Sequence, residues 1–343
     1  MAKILVIRLS AIGDVAMTVP AIHSLATQYP QHQITVLSRN NMSALFKEMP
    51  ANVSFWGADI KERHRGIQGL NRLYQELKAE GFDYIADFHD VLRTQYLRLR
   101  FRLAGKKVAH IHKGRKEKKQ LTRKENKVKR PLASSFQRYS DVLKKLGFPV
   151  SLTFQSIYGE GKGDLSSLLY ITGEKGTCRW IGMAPFATHA GKIYPLEKMK
   201  EVMARLSVLP NVKIFLFGGG PKETSILSEW AEQYPSTLCI AGKLKWAEEL
   251  TLMSHLDVMV SMDSSNMHLA SMVHTPVLSI WGATHPYAGF MGWKQPDTYA
   301  IQTEMECRPC SIFGNKPCHR GDYACLHGIS PELIVERIES FLS

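Results

Sequence analysis

The stretch Ile4-Leu5-Val6-Ile7-Arg8-Leu9-Ser10-Ala11-Ile12-Gly13-Asp14-Val15-Ala16-Met17-Thr18-Val19-Pro20-Ala21-Ile22 decides the fold, because an apolar β run passes straight into a turn that carries one carboxylate at a helix start. In a parallel sheet, ligands bind outside the carboxyl ends of the strands. The helix that follows each strand offers free backbone N–H groups and the positive end of its dipole. Asp14 is therefore expected at that rim. A dinucleotide site here would need Gly-x-Gly-x-x-Gly, and Gly13 stands alone, which argues against nicotinamide chemistry in this half. Ser10, Gly13 and Asp14 instead suit the positioning of a hydroxyl and the removal of its proton. As a bare helix-end acid Asp14 would contribute a few tenths to about 1 kcal/mol.

Outward from this stretch, β-rich runs alternate with helical ones. Residues 3–9, 33–38, 53–56 and 84–88 read as strands. Residues 15–29 carry Val15, Val19, Ile22, Ala26 and Tyr29 on one helical face, and 66–80 carry Leu70, Leu73 and Leu77 likewise. A helix over 134–147 leads to a Gly- and Ser-containing stretch at 158–167, where the domain boundary is placed. The alternation then resumes, with strands at 180–184, 212–217, 257–261 and 277–281 and helices at 196–206, 221–233 and 265–273. A chain of 343 residues with 44% apolar content can bury two ordinary cores. The expectation is α/β with two doubly wound lobes, 1–160 and 161–330, and a terminal helix over 331–343 started by Ser330-Pro331-Glu332.

The formal charge of +13 predicts an acidic partner. Between Gly105 and Arg130, nine lysines and three arginines stand against Glu117 and Glu125, so a net +10 of that +13 lies in one segment. No aromatic residues interleave with it and no zinc-finger or helix-turn-helix pattern accompanies it, which argues against nucleic acid. No apolar run approaches the roughly 18 to 20 residues of a membrane span. Met1-Ala2-Lys3 leads directly into a strand, so a cytoplasmic location is expected.

Three loops of the second half should meet at strand ends. Residues 184–192 supply Thr188 and Lys192, a hydroxyl and an amine suited to phosphate oxygens. Gly218-Gly219-Gly220 precedes a helix carrying Glu223. Asp263-Ser264-Ser265 opens a helix whose hydroxyl-rich first turn would hold a diphosphate, with His268 one turn in. A carboxylate beside an anion site requires that Asp263 bond ligand hydroxyls or orient the loop.

These residues together resemble glycosyltransferase family 9, the ADP-heptose:lipopolysaccharide heptosyltransferases. The resemblance runs through 7–14, 188–192, 263–270 and the Cys307–Cys325 region. It implies a GT-B enzyme with an acceptor-binding N-terminal lobe and a nucleotide-sugar-binding C-terminal lobe, the cleft between them carrying out the transfer. The implied reaction is inverting transfer of heptose from ADP-heptose to the Kdo/heptose inner core of lipopolysaccharide. Asp14 would be the general base, and Lys192 would neutralise the leaving diphosphate without a metal cofactor. The resemblance further places Thr188, Asp263, Ser264, Ser265 and His268 around the diphosphate and sugar, Glu223 at the ribose and Leu244 at the adenine. Ser264-Ser265 departs from the Thr-Gly or Ser-Gly that many members carry after the Asp. Arg63 and Arg65, with Lys61, and the 106–130 segment acquire a rationale in an acceptor of the Kdo–lipid A type. They also fit peripheral contact with an anionic inner-membrane surface, worth about 1 kcal/mol per basic residue. The alternative is a GT-B transferase using another nucleotide sugar for a surface polysaccharide.

Cys307-x2-Cys310-x7-Cys318-x6-Cys325 gathers four of the six cysteines. Tetrahedral thiolate sites often begin with such a Cys-x-x-Cys pair, which keeps a structural zinc open as an alternative to reduced cytosolic thiols.

Overall fold

The computed structural model describes residues 1–342. The chain divides into two compact units, one formed by Met1–Lys113 with Ala133–Gly159, the other by Gly114–Leu132 with the chain from Glu160 onward. In chain order the first part comprises β1 (Lys3–Ile7), α1 (Ile12–Ala16), α2 (Val19–Gln28), β2 (Gln33–Arg39), β3 (Val53–Ala58), α3 (Gly66–Ala79), β4 (Tyr84–Asp87), α4 (Leu92–Leu103) and β5 (Lys107–His110). Next come α5 (Arg115–Leu121), which lies in the second unit, and α6 (Ser135–Leu146), which returns to the first.

The first sheet is wholly parallel in the order β3-β2-β1-β4-β5. Ile4 through Ile7 of β1 are completely buried, which is why this strand reads as one apolar run instead of an alternation. Strand order reverses between β1 and β4, so the ends of these two strands flank the place where such sheets bind ligands. The single helix expected over 15–29 is broken into α1 and α2. Pro20 has no N–H to offer the Ala16 carbonyl and its ring would crowd that carbonyl. The Thr18 hydroxyl instead donates to the Val15 carbonyl at 2.7 Å and closes the break.

The second unit continues with α7 (Leu169–Thr172), β6 (Arg179–Ala184), α8 (Leu196–Ser207), β7 (Val212–Leu216), α9 (Pro221–Gln233), β8 (Thr237–Cys239) and α10 (Trp246–His255). It ends with β9 (Val258–Met262), α11 (Ser265–Met272), β10 (Val277–Trp281), β11 (Ala300–Gln302), α12 (Ala324–His327) and α13 (Pro331–Glu339). Its parallel sheet runs β11-β10-β9-β6-β7-β8 and reverses between β6 and β9. Helix α13 inserts Ile334 and Ile338 into the same core as Val202, Met203 and Leu206 of α8.

The basic segment forms ordered structure. Its start is β5, and Gly114–Leu132 is fastened within the second unit. Lys127 Nζ donates to the Cys307 and Pro309 carbonyls at 2.6 and 2.8 Å, and Lys129 Nζ to the Met305 carbonyl at 2.9 Å. Among the described residues no helix is long and apolar enough to cross a membrane.

Candidate functional site

At the end of β1 the chain turns through Ser10 into α1, which places Asp14 in the first helical turn with Gly13 buried behind it. One carboxylate oxygen, Oδ2, is held: Arg8 Nη2 lies 2.7 Å away and the Ala11 N–H donates at 3.3 Å. The other oxygen has no protein partner among the described residues, and the side chain is 34% exposed. Arg8 is itself buried and spends its remaining nitrogens on backbone, Nε on the Ser10 carbonyl at 2.9 Å and Nη1 on the Phe88 carbonyl at 2.7 Å. It therefore pins the Asp14 turn across the β1–β4 switch point. The Tyr139 hydroxyl of α6 donates to the Asp14 carbonyl at 3.3 Å, and its ring stacks on Phe88 at 4.6 Å. Burial pushes the Tyr139 phenol up to about 12, so it remains a donor at any physiological pH.

The end of β4 adds residues that the sequence reading did not single out. Fully buried Asp87 accepts from the His89 and Asp90 N–H groups at 2.9 Å and from Arg98 at 3.1 Å. His89 Nδ1 accepts from the Leu9 N–H at 3.3 Å. Burial, with Arg8 and Lys113 nearby, drives the His89 imidazole down to about 3, so it is neutral beside the Asp14–Arg8 pair. Arg63 and Arg65 stand apart from this group in the β3–α3 connection. Arg63 is engaged with Glu76 at 2.5 Å, and Asp59 caps the loop by accepting from the N–H groups of Lys61, Glu62 and Arg63. Arg65 is exposed and precedes α3.

In the second unit the turns after β6 and β9 are the two that flank the switch point, and they join directly. Lys192 Nζ stands 2.8 Å from Asp263 Oδ2 and donates to the Asp263 carbonyl at 3.0 Å. An ammonium has three donors, so one N–H remains for a ligand oxygen. Asp263 thus orients the lysine. Thr188 is exposed on the same turn, and its hydroxyl has no partner among the described residues. Ser264 precedes α11 with its hydroxyl 3.2 Å from that of Ser261, and Ser265 opens the helix, whose first turn holds no acid. His268 is buried on the same helix. Beyond β7, Glu223 accepts from the Gly219 N–H at 2.8 Å and closes the glycine turn; Leu244 is half-buried ahead of α10.

The cysteine-rich stretch forms a wall of the Lys192 turn. Gly191 and Gly314 approach so closely that a Cβ on Gly191 would meet the Gly314 carbonyl oxygen at 2.9 Å, and one on Gly314 would meet Lys192 Cγ at 2.6 Å. Buried Arg308 donates to the carbonyls of Trp281, Gly282, Thr284 and Thr303, which ties this stretch to the end of β10. All six cysteines are free thiols. Among the described residues no three His, Cys, Asp or Glu side chains are placed to share a metal ion, so the structural zinc considered from spacing finds no preformed ligand set.

The family model for glycosyltransferase family 9 (heptosyltransferase) matches residues 70–316. Lipopolysaccharide heptosyltransferase 3 of Escherichia coli is 24% identical over 279 residues, covering 79% of this chain and 81% of that protein. Among solved structures, the glycosyl transferase family 9 protein from Veillonella parvula DSM 2008 superposes with a TM-score of 0.76 at 21% identity, covering 99% of this chain and 97% of the other. E. coli heptosyltransferase WaaC with ADP gives 0.69 at 15% identity, with 99% of each chain covered. The two parallel, helix-flanked sheets have the expected GT-B architecture. With the match reaching from α3 of the first unit past β11 of the second, the chain belongs to glycosyltransferase family 9, a family of sugar-transferring enzymes.

Proposed function

We propose that this transferase moves heptose from ADP-heptose to the Kdo/heptose inner core of lipopolysaccharide, with inversion at the sugar C1 and with Asp14 as general base. The observation that carries the reading is the asymmetry of the Asp14 carboxylate: Oδ2 is fixed by Arg8 while the other oxygen is open. Such a group is oriented and still able to take a proton from an acceptor hydroxyl, an effect worth roughly 10²- to 10⁴-fold. The donor diphosphate is assigned to the β6 and β9 turns. Lys192 would place its remaining N–H on the departing phosphate oxygen, and Thr188, Ser264, Ser265 and the free N–H groups of α11 would hold the others. Glu223 and Leu244 are assigned to ribose and adenine, which accords with the ADP in the E. coli WaaC structure.

The acceptor is assigned to the first unit, with Arg63 and Arg65 toward its acid groups. The exposed Arg115, Lys116, Lys119, Arg123, Lys124 and Arg130 of the basic segment would favour an anionic membrane surface. Isothermal titration with ADP and UDP tests the donor: ADP is expected to bind at least tenfold more tightly. Tighter UDP binding would overturn the heptose assignment.

A further inference from the structure

Helix α4 is apolar on two opposite sides. Thr94, Leu97 and Phe101 are buried, and the last two join the core of the first unit with Leu5, Leu73 and Ile85. On the other side Leu92, Leu99 and Leu103 are 84%, 53% and 77% exposed. These leucines stand seven and four residues apart, which aligns them along one stripe of the helix surface, about 17 Å long. Half-buried Tyr96 fills the interval between Leu92 and Leu99. Its hydroxyl donates to Asn71 Oδ1 of α3, and Arg100 Nη1 donates to the same oxygen at 2.6 Å. Arg93 and Arg100 border the stripe on one side, Gln95 and Arg102 on the other, and the helix sequence contains no acid. Lys106 and Lys107 follow directly.

An apolar stripe left on the surface opposite the core marks a contact. The leucine spacing would suit a seam between two helices, but the positions that flank such a seam here hold Arg93, Arg100 and Arg102. A second copy would therefore set arginine against arginine. An anionic leaflet meets both features at once, since the acyl boundary takes the leucines while the headgroups take the guanidinium groups. We infer that the outer face of α4 docks on an anionic phospholipid bilayer with Leu92, Leu99 and Leu103 inserted at the acyl boundary. The helix begins three residues past His89, which accepts from the Leu9 N–H, so its N-terminal end stands at the same sheet rim as Asp14. Docking there would present that rim to an acceptor anchored in the same leaflet. That purpose rests on the reading of the acceptor as a lipid A glycan, whereas the docking itself does not.

The test is flotation of the full chain with vesicles of equal parts phosphatidylethanolamine and phosphatidylglycerol, and with vesicles of phosphatidylcholine alone. Wild type is compared with Leu92→Ser/Leu99→Ser/Leu103→Ser and with Arg93→Gln/Arg102→Gln. All five positions are exposed, and ADP affinity measured in parallel reports that each variant is folded. On the anionic vesicles each variant should partition about tenfold or more weakly than wild type, and wild type should bind phosphatidylcholine more weakly by a similar factor. A serine variant that floats as well as wild type would overturn the inference, since the basic segment alone would then hold the protein to the surface. A wild-type dimer in sedimentation equilibrium that the serines convert to monomer would overturn it too, because the stripe would then belong to a second copy. Turnover separates docking from the heptose reading. The serine variant should lose about tenfold in kcat/KM on Kdo–lipid A held in vesicles and stay within about twofold on the deacylated acceptor. Serine-sensitive flotation in a protein that fails to turn over ADP-heptose would leave the membrane face standing and remove the donor assignment.

Discussion

Substitution of Arg8 by lysine probes how the Asp14 turn is held. Arg8 places three nitrogens on three acceptors, the Ser10 carbonyl at 2.9 Å, the Phe88 carbonyl at 2.7 Å and Asp14 Oδ2 at 2.7 Å, from a side chain only 10% exposed. A lysine keeps the charge, but its single nitrogen cannot span acceptors on β1, α1 and the end of β4 together. Two buried charge-assisted hydrogen bonds are lost, at about 1.5 kcal/mol or more each, so the first unit should lose about 3 kcal/mol. For a unit of about 140 residues that corresponds to a fall in Tm of roughly 10 °C. With Oδ2 no longer anchored, displacement of the carboxylate by about 1 Å should lower kcat on the order of 10²-fold. The assays are a thermal scan and steady-state ADP release at saturating donor and acceptor. ADP affinity serves as the control, because Lys192 and α11 belong to the other unit and should not change. An Arg8→Lys protein with Tm within about 2 °C and kcat within about twofold of wild type would refute the bracing role.

Lys192→Ala should lower kcat by about 10²- to 10³-fold through loss of leaving-group stabilisation. Asp263→Asn, which keeps the carbonyl contact to Lys192, should cost about tenfold, and a larger loss than that of Lys192→Ala would contradict the orienting role. His89 and His285 are held down to about 3 and about 4, mainly by burial, against 6.5 when unfolded. The unfolded chain therefore takes up protons first, so this contribution to stability is complete above about pH 6.5 and falls as pH drops, by about 2 kcal/mol per histidine at pH 5. Thermal scans should show a smaller drop between pH 7 and 5 for His89→Gln than for wild type, and an equal drop would be the contrary result. Arg308→Met leaves at least three buried carbonyls without their donor and should cost at least about 3 kcal/mol. Faster iodoacetamide alkylation of Cys307 and Cys310 is the accompanying readout, and unchanged rates would refute the clamp.

The alternation of β and helical runs was legible because both sheets are parallel and covered on both faces. The strand Val277–Trp281 and the helix Pro221–Gln233 have the bounds that their apolar runs and flanking Gly-Pro signals suggest. Strands β8 and β11 escaped because three residues are too few to show a period, and β5 because its four residues begin and end in Lys107 and His110 within a basic segment. Helix α4 escaped because Leu97, Leu99, Phe101 and Leu103 alternate with arginines in a strand-like period of two, while only Thr94, Leu97 and Phe101 face the core. Within the candidate site, Asp14, Lys192 and Asp263 were readable as polar residues just past apolar strands. Arg8 and His89 were not, since their roles depend on β4 lying beside β1, and strand order is set by packing across nearly 80 residues. The oddity of an acid beside an anion site resolves once β6 and β9 are neighbours, because Asp263 then meets Lys192.

The most direct test of the account is ADP release from ADP-heptose with a Kdo–lipid A acceptor, wild type against Asp14→Asn, with donor affinity measured in both. Asparagine preserves the shape of the turn and can still accept from Arg8, but it cannot take up the acceptor proton. The expected result is a rate loss of at least about 10²-fold with ADP-heptose affinity unchanged. Turnover within a few-fold of wild type would contradict it and reduce Asp14 to an acid that stabilises the start of α1.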